Sequence, residues 1–116
     1  MLVRIDPSST VPLFEQVAGS LRRALAAGSP AQGDQLPPAR ELATSLEINV
    51  HTVLRAYALL RDEGLIDLRR RRGAVVLGGA PSRARLTELV AAVVDEAKRA
   101  GVGLDELTGV IKEKYS

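Results

Sequence analysis

The sequence predicts a mainly α fold that carries one small β-hairpin, and three observations predict it. Apolar residues recur at helical spacing in several segments punctuated by glycine or proline. Two short apolar runs flank four consecutive arginines, Arg69 to Arg72, and Gly73. The stretch Gly78-Gly79-Ala80-Pro81-Ser82 then separates this first part from a tail with two further helical stripes.

Val3-Arg4-Ile5 reads as a short extended arm, stopped by the turn residues Asp6-Pro7-Ser8-Ser9. A first helix is expected from Pro12, capped by Thr10, with Leu13, Val17, Leu21 and Leu25 inward beside Phe14 and Ala18, and with Gly28 at its end. Residues 28–34 are expected to form a loop without core-forming content. Leu36-Pro37-Pro38 opens a second helix, Ala39 to Leu46, because proline is tolerated in a first helical turn. Glu47-Ile48 makes a tight turn. Asn49 caps the third helix, with the Thr52 amide as its expected partner and Val53, Ala56, Tyr57 and Leu60 as the buried stripe. Gly64 closes that helix.

Ile66 to Arg69 and Ala74 to Leu77 are the expected strands, joined by Arg70 to Gly73. Ser82 is the expected cap of a fourth helix, whose stripe of Leu86, Leu89, Val90, Val93, Val94 and Ala97 runs to about Ala100. Gly101-Val102-Gly103 breaks it. A fifth helix follows, with Asp105 and Glu106 at its positive end, Leu107, Val110 and Ile111 on one side, and Lys112 and Lys114 near its close. The expected architecture is an N-terminal winged helix-turn-helix over residues 1–78 and a two-helix dimerisation region over residues 79–116.

Composition narrows the function classes. A chain of 116 residues with 46% hydrophobic residues supports a core and a small appendage, without room for a large catalytic domain. The scarce aromatics, Phe14, Tyr57 and Tyr115, argue against stacking on unpaired bases. The lack of cysteine excludes a disulfide framework and a thiolate metal site, and fits a reducing cytoplasm. The N-terminus lacks a signal-peptide core, and no apolar run approaches the roughly 20 residues that cross a bilayer. No membrane partner is expected.

The net charge is only +2, but its distribution matters: residues 1–80 hold 10 basic and 8 acidic side chains, and residues 81–116 hold 6 of each. The excess sits where four arginines are consecutive, and phosphate attraction is a local effect, screened within about 10 Å at ordinary salt. A helix-turn-helix places the start of its second helix in the DNA major groove, with a basic wing on the backbone. The groove-facing candidates on the third helix are His51, Leu54, Arg55 and Ala58, with the cap residues Asn49 and Val50. Of the arginine run, strand alternation sends Arg69 and Arg71 to one side and Arg70 and Arg72 to the other, so about two should face DNA.

Enzymatic readings lack their parts. Asp105-Glu106 suits a helix N-terminus rather than a catalytic dyad. Ser8, Ser9 and Thr10 have no triad partners, and Gly78-Gly79 lacks the spacing of a phosphate loop. His51 is the single histidine, so no metal site and no cofactor is expected.

The residues resemble those of the GntR family of winged helix-turn-helix transcription regulators. The matching parts are Val11-Pro12-Leu13-Phe14-Glu15-Gln16-Val17, Gly33 to Ala43 with its Leu36-Pro37-Pro38-Ala39-Arg40-Glu41-Leu42-Ala43 core, Thr52-Val53 with Arg55-Ala56-Tyr57, and Glu63-Gly64-Leu65-Ile66. The opening Ile5-Asp6-Pro7-Ser8-Ser9, the form of the third helix and the tail of about 36 residues are similar to the YtrA subfamily. That resemblance implies two short C-terminal helices for dimerisation and no large effector domain.

It also implies that Arg40 contacts DNA from the second helix, that Asn49, Val50, His51 and Thr52 enter the groove, that Arg55 supports them, and that Arg72-Gly73 lies at the wing tip. The chain departs from the wider family at Glu47, Val50, Leu54 and Ala74-Val75. Val50 can touch a thymine methyl but cannot donate two hydrogen bonds to guanine.

The expected function is thus a homodimeric, sequence-specific regulator, a repressor, on an inverted-repeat operator in double-stranded DNA. Arg40, Asn49, Val50, His51, Thr52, Arg55, Arg70, Arg71, Arg72 and Gly73 are its DNA-binding set. Leu86, Leu89, Val90, Val93, Val94, Leu107, Val110 and Ile111 are its dimerisation set. The rival is a protein-interaction module that uses the apolar tail, with the winged fold as scaffold. A third reading is a small ligand or metal ion held between tail and winged domain, and a metal there would need Asp or Glu oxygens. The effector, operator and regulated genes are not legible.

Overall fold

The computed structural model describes residues 3–116. Its elements are α1 (Leu13–Ala26), α2 (Ala39–Leu46), α3 (Val50–Asp62), β1 (Ile66–Arg69), β2 (Gly73–Val76), α4 (Ala80–Ala100) and α5 (Leu104–Tyr115). The mainly α fold with a small β-wing expected from the sequence is present. The chain forms two compact units, one ending at Arg85 and one from Leu86 to Ser116.

In the first unit α1, α2 and α3 close around one core. Val17, Leu21 and Leu25 of α1 meet Val53, Ala56, Tyr57 and Leu60 of α3, and Leu42 and Ala43 of α2 close the third side. On α1 and α3 these are the positions that helical spacing placed inward, except that Leu13 and Phe14 are only half-buried. Arg22 of α1 and Glu63 after α3 add a two-point ion pair, with contacts of 2.8 and 2.7 Å. The N-terminal arm lies against the same helices. The Arg4 amide donates to the buried Ser20 hydroxyl at 3.1 Å, and Val3 is buried.

Four helix ends share one stop, in which two amides fold back on the last turn. After α1, Gly28 donates to Leu25 and Ser29 to Ala24; after α3, Gly64 donates to Arg61 and Leu65 to Leu60; after α4, Gly101 donates to Lys98 and Val102 to Ala97. The residue at the bend must be left-handed, which suits glycine. After α2 the same bonds run from Glu47 to Thr44 and from Ile48 to Ala43, but the bend is Glu47, at φ 57°. Among the described residues Glu47 is the one non-glycine with positive φ.

β1 and β2 pair antiparallel, Ile66 opposite Val76 and Arg69 opposite Gly73. β2 therefore starts one residue before the expected Ala74, and Arg70–Arg72 form the tip. Residues 33–36 pair with the far edge of β2: Leu36 donates to Ala74, Gly33 to Val76, and Val76 to Asp34. The end of the expected loop thus acts as a third strand at the base of the wing.

Two capping expectations are corrected. Pro12, not Thr10, precedes α1, and no side chain caps it. α4 begins at Ala80, ahead of the expected Ser82, because Pro81 fits a first helical turn where its missing amide leaves no bond unmade. The Ser82 hydroxyl instead accepts from Arg85 at 3.3 Å. Ala80 and Ala84 are completely buried in the core of the first unit, and Arg85 donates to the Ala26 carbonyl at 2.9 Å.

The second unit comprises the rest of α4 and α5. Its large apolar side chains are left in the open: Leu86, Leu89, Val90, Val93 and Val94 on α4, and Leu104, Val110 and Ile111 on α5. Leu107 is half-buried, and no residue of α5 is buried. None of the described helices is long and apolar enough to cross a membrane.

Candidate nucleic-acid interface

The start of α3 is fixed by its cap. The Asn49 side chain accepts from the His51 amide at 2.8 Å, so the capped amide is that of His51 and not, as expected, that of Thr52, which donates to the Asn49 carbonyl at 3.0 Å. Asn49 and His51 stand exposed, and Thr52 is half-buried. Val50 is half-buried too and packs against the core, so it is partly withdrawn from the open face.

Arg55 follows one turn later. Its guanidinium carbon sits 3.8 Å from the centroid of the Phe14 ring, an aromatic face that attracts a cation. Leu13, Phe14, Asn49, His51, Thr52 and Arg55 line a hollow of about 310 Å³ between the starts of α1 and α3. Phe14 had no local signal for this role, since the ring and the guanidinium are 41 residues apart in sequence and meet only through the packing of α1 on α3.

On the opposite flank of α3 a cleft of about 520 Å³ opens toward the wing, lined among others by Pro37, Leu54, Tyr57, Leu68, Arg71 and Arg72. The Tyr57 hydroxyl donates to the Pro37 carbonyl, tying the segment before α2 to α3. Burial pushes the Tyr57 phenol up to about 12. Arg40 stands two residues beyond Pro38, exposed on the first turn of α2. It makes no ion pair with Glu41 or Glu47, which leaves its guanidinium uncommitted.

The wing separates its arginines by pairing. Arg69 lies in β1 and is held by Asp67 at 3.0 Å. Arg70, Arg71 and Arg72 are exposed in the turn, so the strand alternation expected to sort them does not extend past Arg69. Arg71 and Arg72 border the cleft beside α3, and Arg70 does not. Gly73 closes the turn at φ 67°, with open space where a Cβ would stand.

Arg40, Asn49, His51, Arg55 and the wing-tip arginines are thus all exposed, hydrogen-bond donors or cations with few internal commitments. The sequence had named each of them. Leu54, also among the groove-facing candidates, is open at 47% exposure on the cleft beside Leu68, at 40%, which the sequence had not singled out. No group of three or more metal-ligating side chains occurs among the described residues.

Comparison with known proteins agrees with this geometry. Residues 13–76, which run from the start of α1 to the end of β2, match the family described as bacterial regulatory proteins, gntR family. The HTH-type transcriptional repressor YtrA of Bacillus subtilis is 34% identical over 97% of this chain and 91% of its own length. Among solved structures, YtrA from Sulfolobus acidocaldarius, a GntR-family transcription factor, is 31% identical and superposes with a TM-score of 0.62 over 97% of this chain and 96% of its own. A GntR family transcriptional regulator from Listeria monocytogenes is 25% identical, with a TM-score of 0.66 over 94% and 98%. A winged helix-turn-helix, exposed arginines and relatives matched along nearly their whole length lead to one conclusion: the chain belongs to the gntR family of bacterial regulatory proteins, DNA-binding regulators of transcription rather than enzymes.

Proposed function

We propose that this protein is a homodimeric transcriptional repressor that binds an inverted-repeat operator. The observation that carries the reading is the cap of α3, where Asn49 and His51 stand exposed beside the ring-held guanidinium of Arg55, with Arg40 exposed on α2. A helix start exposed this way fits the major groove, and each arginine reaches a phosphate or a guanine edge. Arg70, Arg71, Arg72 and Gly73 hold flanking backbone, Thr52 completes the groove set, and Val50 contributes the part of its side chain that is not packed inward.

Residues 1–78 bind DNA in this reading, and residues 79–116 pair two chains. Support for pairing comes from the apolar side chains that α4 and α5 leave exposed, Leu86, Leu89, Val90, Val93 and Val94 with Val110, Ile111 and the half-buried Leu107. Exposed apolar stripes of this kind suit an association site. Repression follows the Bacillus subtilis relative, which is named a repressor. The site of action is the cytoplasm.

Sedimentation of the full chain tests pairing and DNA binding together. A dimer that shifts duplex DNA, and loses the shift when salt is raised, is the expected result. A monomer with no affinity for duplex DNA contradicts it, and a dimer that leaves DNA unshifted points to a tail that serves protein association alone.

A further inference from the structure

On the reading that α3 enters the major groove, we infer that Leu54 is a base-reading residue and that it selects thymine through its 5-methyl group. Leu54 is 47% exposed in the middle of α3, one turn after Val50, although the opposite side of the helix fills the core completely with Val53, Ala56 and Leu60. It contributes little to that core.

Its position divides the reading face in two. His51, Thr52 and Arg55 line the hollow against α1, and these are the side chains that exchange hydrogen bonds. Leu54 lines the other flank with Leu68, the Tyr57 ring and Pro37, an apolar wall bordered by Arg71 and Arg72. The two wing arginines suit phosphates on either side of whatever base meets that wall.

Base edges in the major groove offer hydrogen-bond donors and acceptors, with one apolar group among them, the thymine methyl. Leucine pressed on any other edge strips water from polar atoms and returns no hydrogen bond, which is unfavourable. Against a thymine methyl it buries apolar surface on both sides, and a group of that size is worth about a fourfold change in affinity.

The experiment starts by selecting a preferred duplex from a random pool with the full chain. Each thymine is then replaced singly by deoxyuridine, which removes the methyl and keeps every hydrogen-bonding group. The same duplexes are titrated with Leu54→Ala, and its thermal melting is compared with wild type to verify the fold. The expected result is at least one thymine at which deoxyuridine weakens wild type about fourfold and leaves Leu54→Ala unchanged. Indifference of wild type to every replacement, or a penalty that persists undiminished in Leu54→Ala, overturns the assignment of Leu54 and leaves the DNA-binding reading intact. Failure to enrich any duplex overturns both.

Discussion

The guanidinium of Arg55 rests 3.8 Å above the ring of Phe14, so a cation on α3 is positioned by an aromatic residue on α1. Its charge stays available to DNA because no carboxylate neutralises it. Arg55→Ala is expected to lower DNA affinity and to reduce the slope of log affinity against log salt by about 0.9, the value for one phosphate contact. Phe14→Leu keeps the charge but loses the platform, and should lower stability by about 0.5 to 1 kcal/mol with the salt slope unchanged. Anisotropy titrations at several salt concentrations and a chemical melt separate the two.

Arg22 and Glu63 act on the scaffold instead. Their side chains are only 17% and 18% exposed and meet through two hydrogen bonds. Replacing one partner, as in Arg22→Met, leaves the Glu63 carboxylate half-buried and unpaired, and should cost about 1.5 to 3 kcal/mol of folding stability. Arg22→Met with Glu63→Leu should cost less than the single change. Urea denaturation reads both.

Glu47 supplies the left-handed bend after α2 that glycine supplies after α1, α3 and α4. A side chain in that conformation costs about 1 to 2 kcal/mol, part of which glycine's greater freedom in the unfolded chain takes back. Glu47→Gly is therefore expected to raise stability by about 0.5 to 1 kcal/mol, seen as a higher denaturation midpoint with an unchanged slope.

Tyr57 makes stability fall in strong alkali. Burial raises its phenol to about 12 from the ordinary value of 10.0. The neutral phenol is therefore favoured by the folded state, so its contribution is complete below pH 10 and is lost as pH rises from 10 through 12. In Tyr115→Phe protein, where Tyr57 is the remaining tyrosine, phenolate absorbance should develop near pH 12 in the folded state. Adding Tyr57→Phe should remove that absorbance, and with it this part of the alkaline loss of stability.

Much of this organisation is legible in the sequence, and the gaps have physical reasons. The stripes of α1 and α3 and the Asn49 cap follow from spacing and residue type, because each depends on neighbours within a turn or two. The strand-like run of residues 33–36 along β2 does not, since its partners lie about 40 residues away and it opens with the turn formers Gly33 and Asp34. Gly78-Gly79 reads as the start of a linker, yet Ala80 and Ala84 are fully buried, because two alanines one turn apart carry too little apolar surface to announce a core face. On the candidate interface, residue types pointed to Arg40, Asn49, His51 and Arg55, while the packing of Val50 against the core required the tertiary structure.

The most direct measurement is a footprint of the full chain on a duplex selected from a random pool, with affinity followed against salt for wild type and Arg40→Ala. Two protected half-sites in inverted repeat are expected, spaced about one helical turn of DNA or a multiple of it. Affinity should fall steeply with salt, and Arg40→Ala should lose about 1 to 3 kcal/mol. Affinity indifferent to both salt and Arg40→Ala would contradict the proposed function.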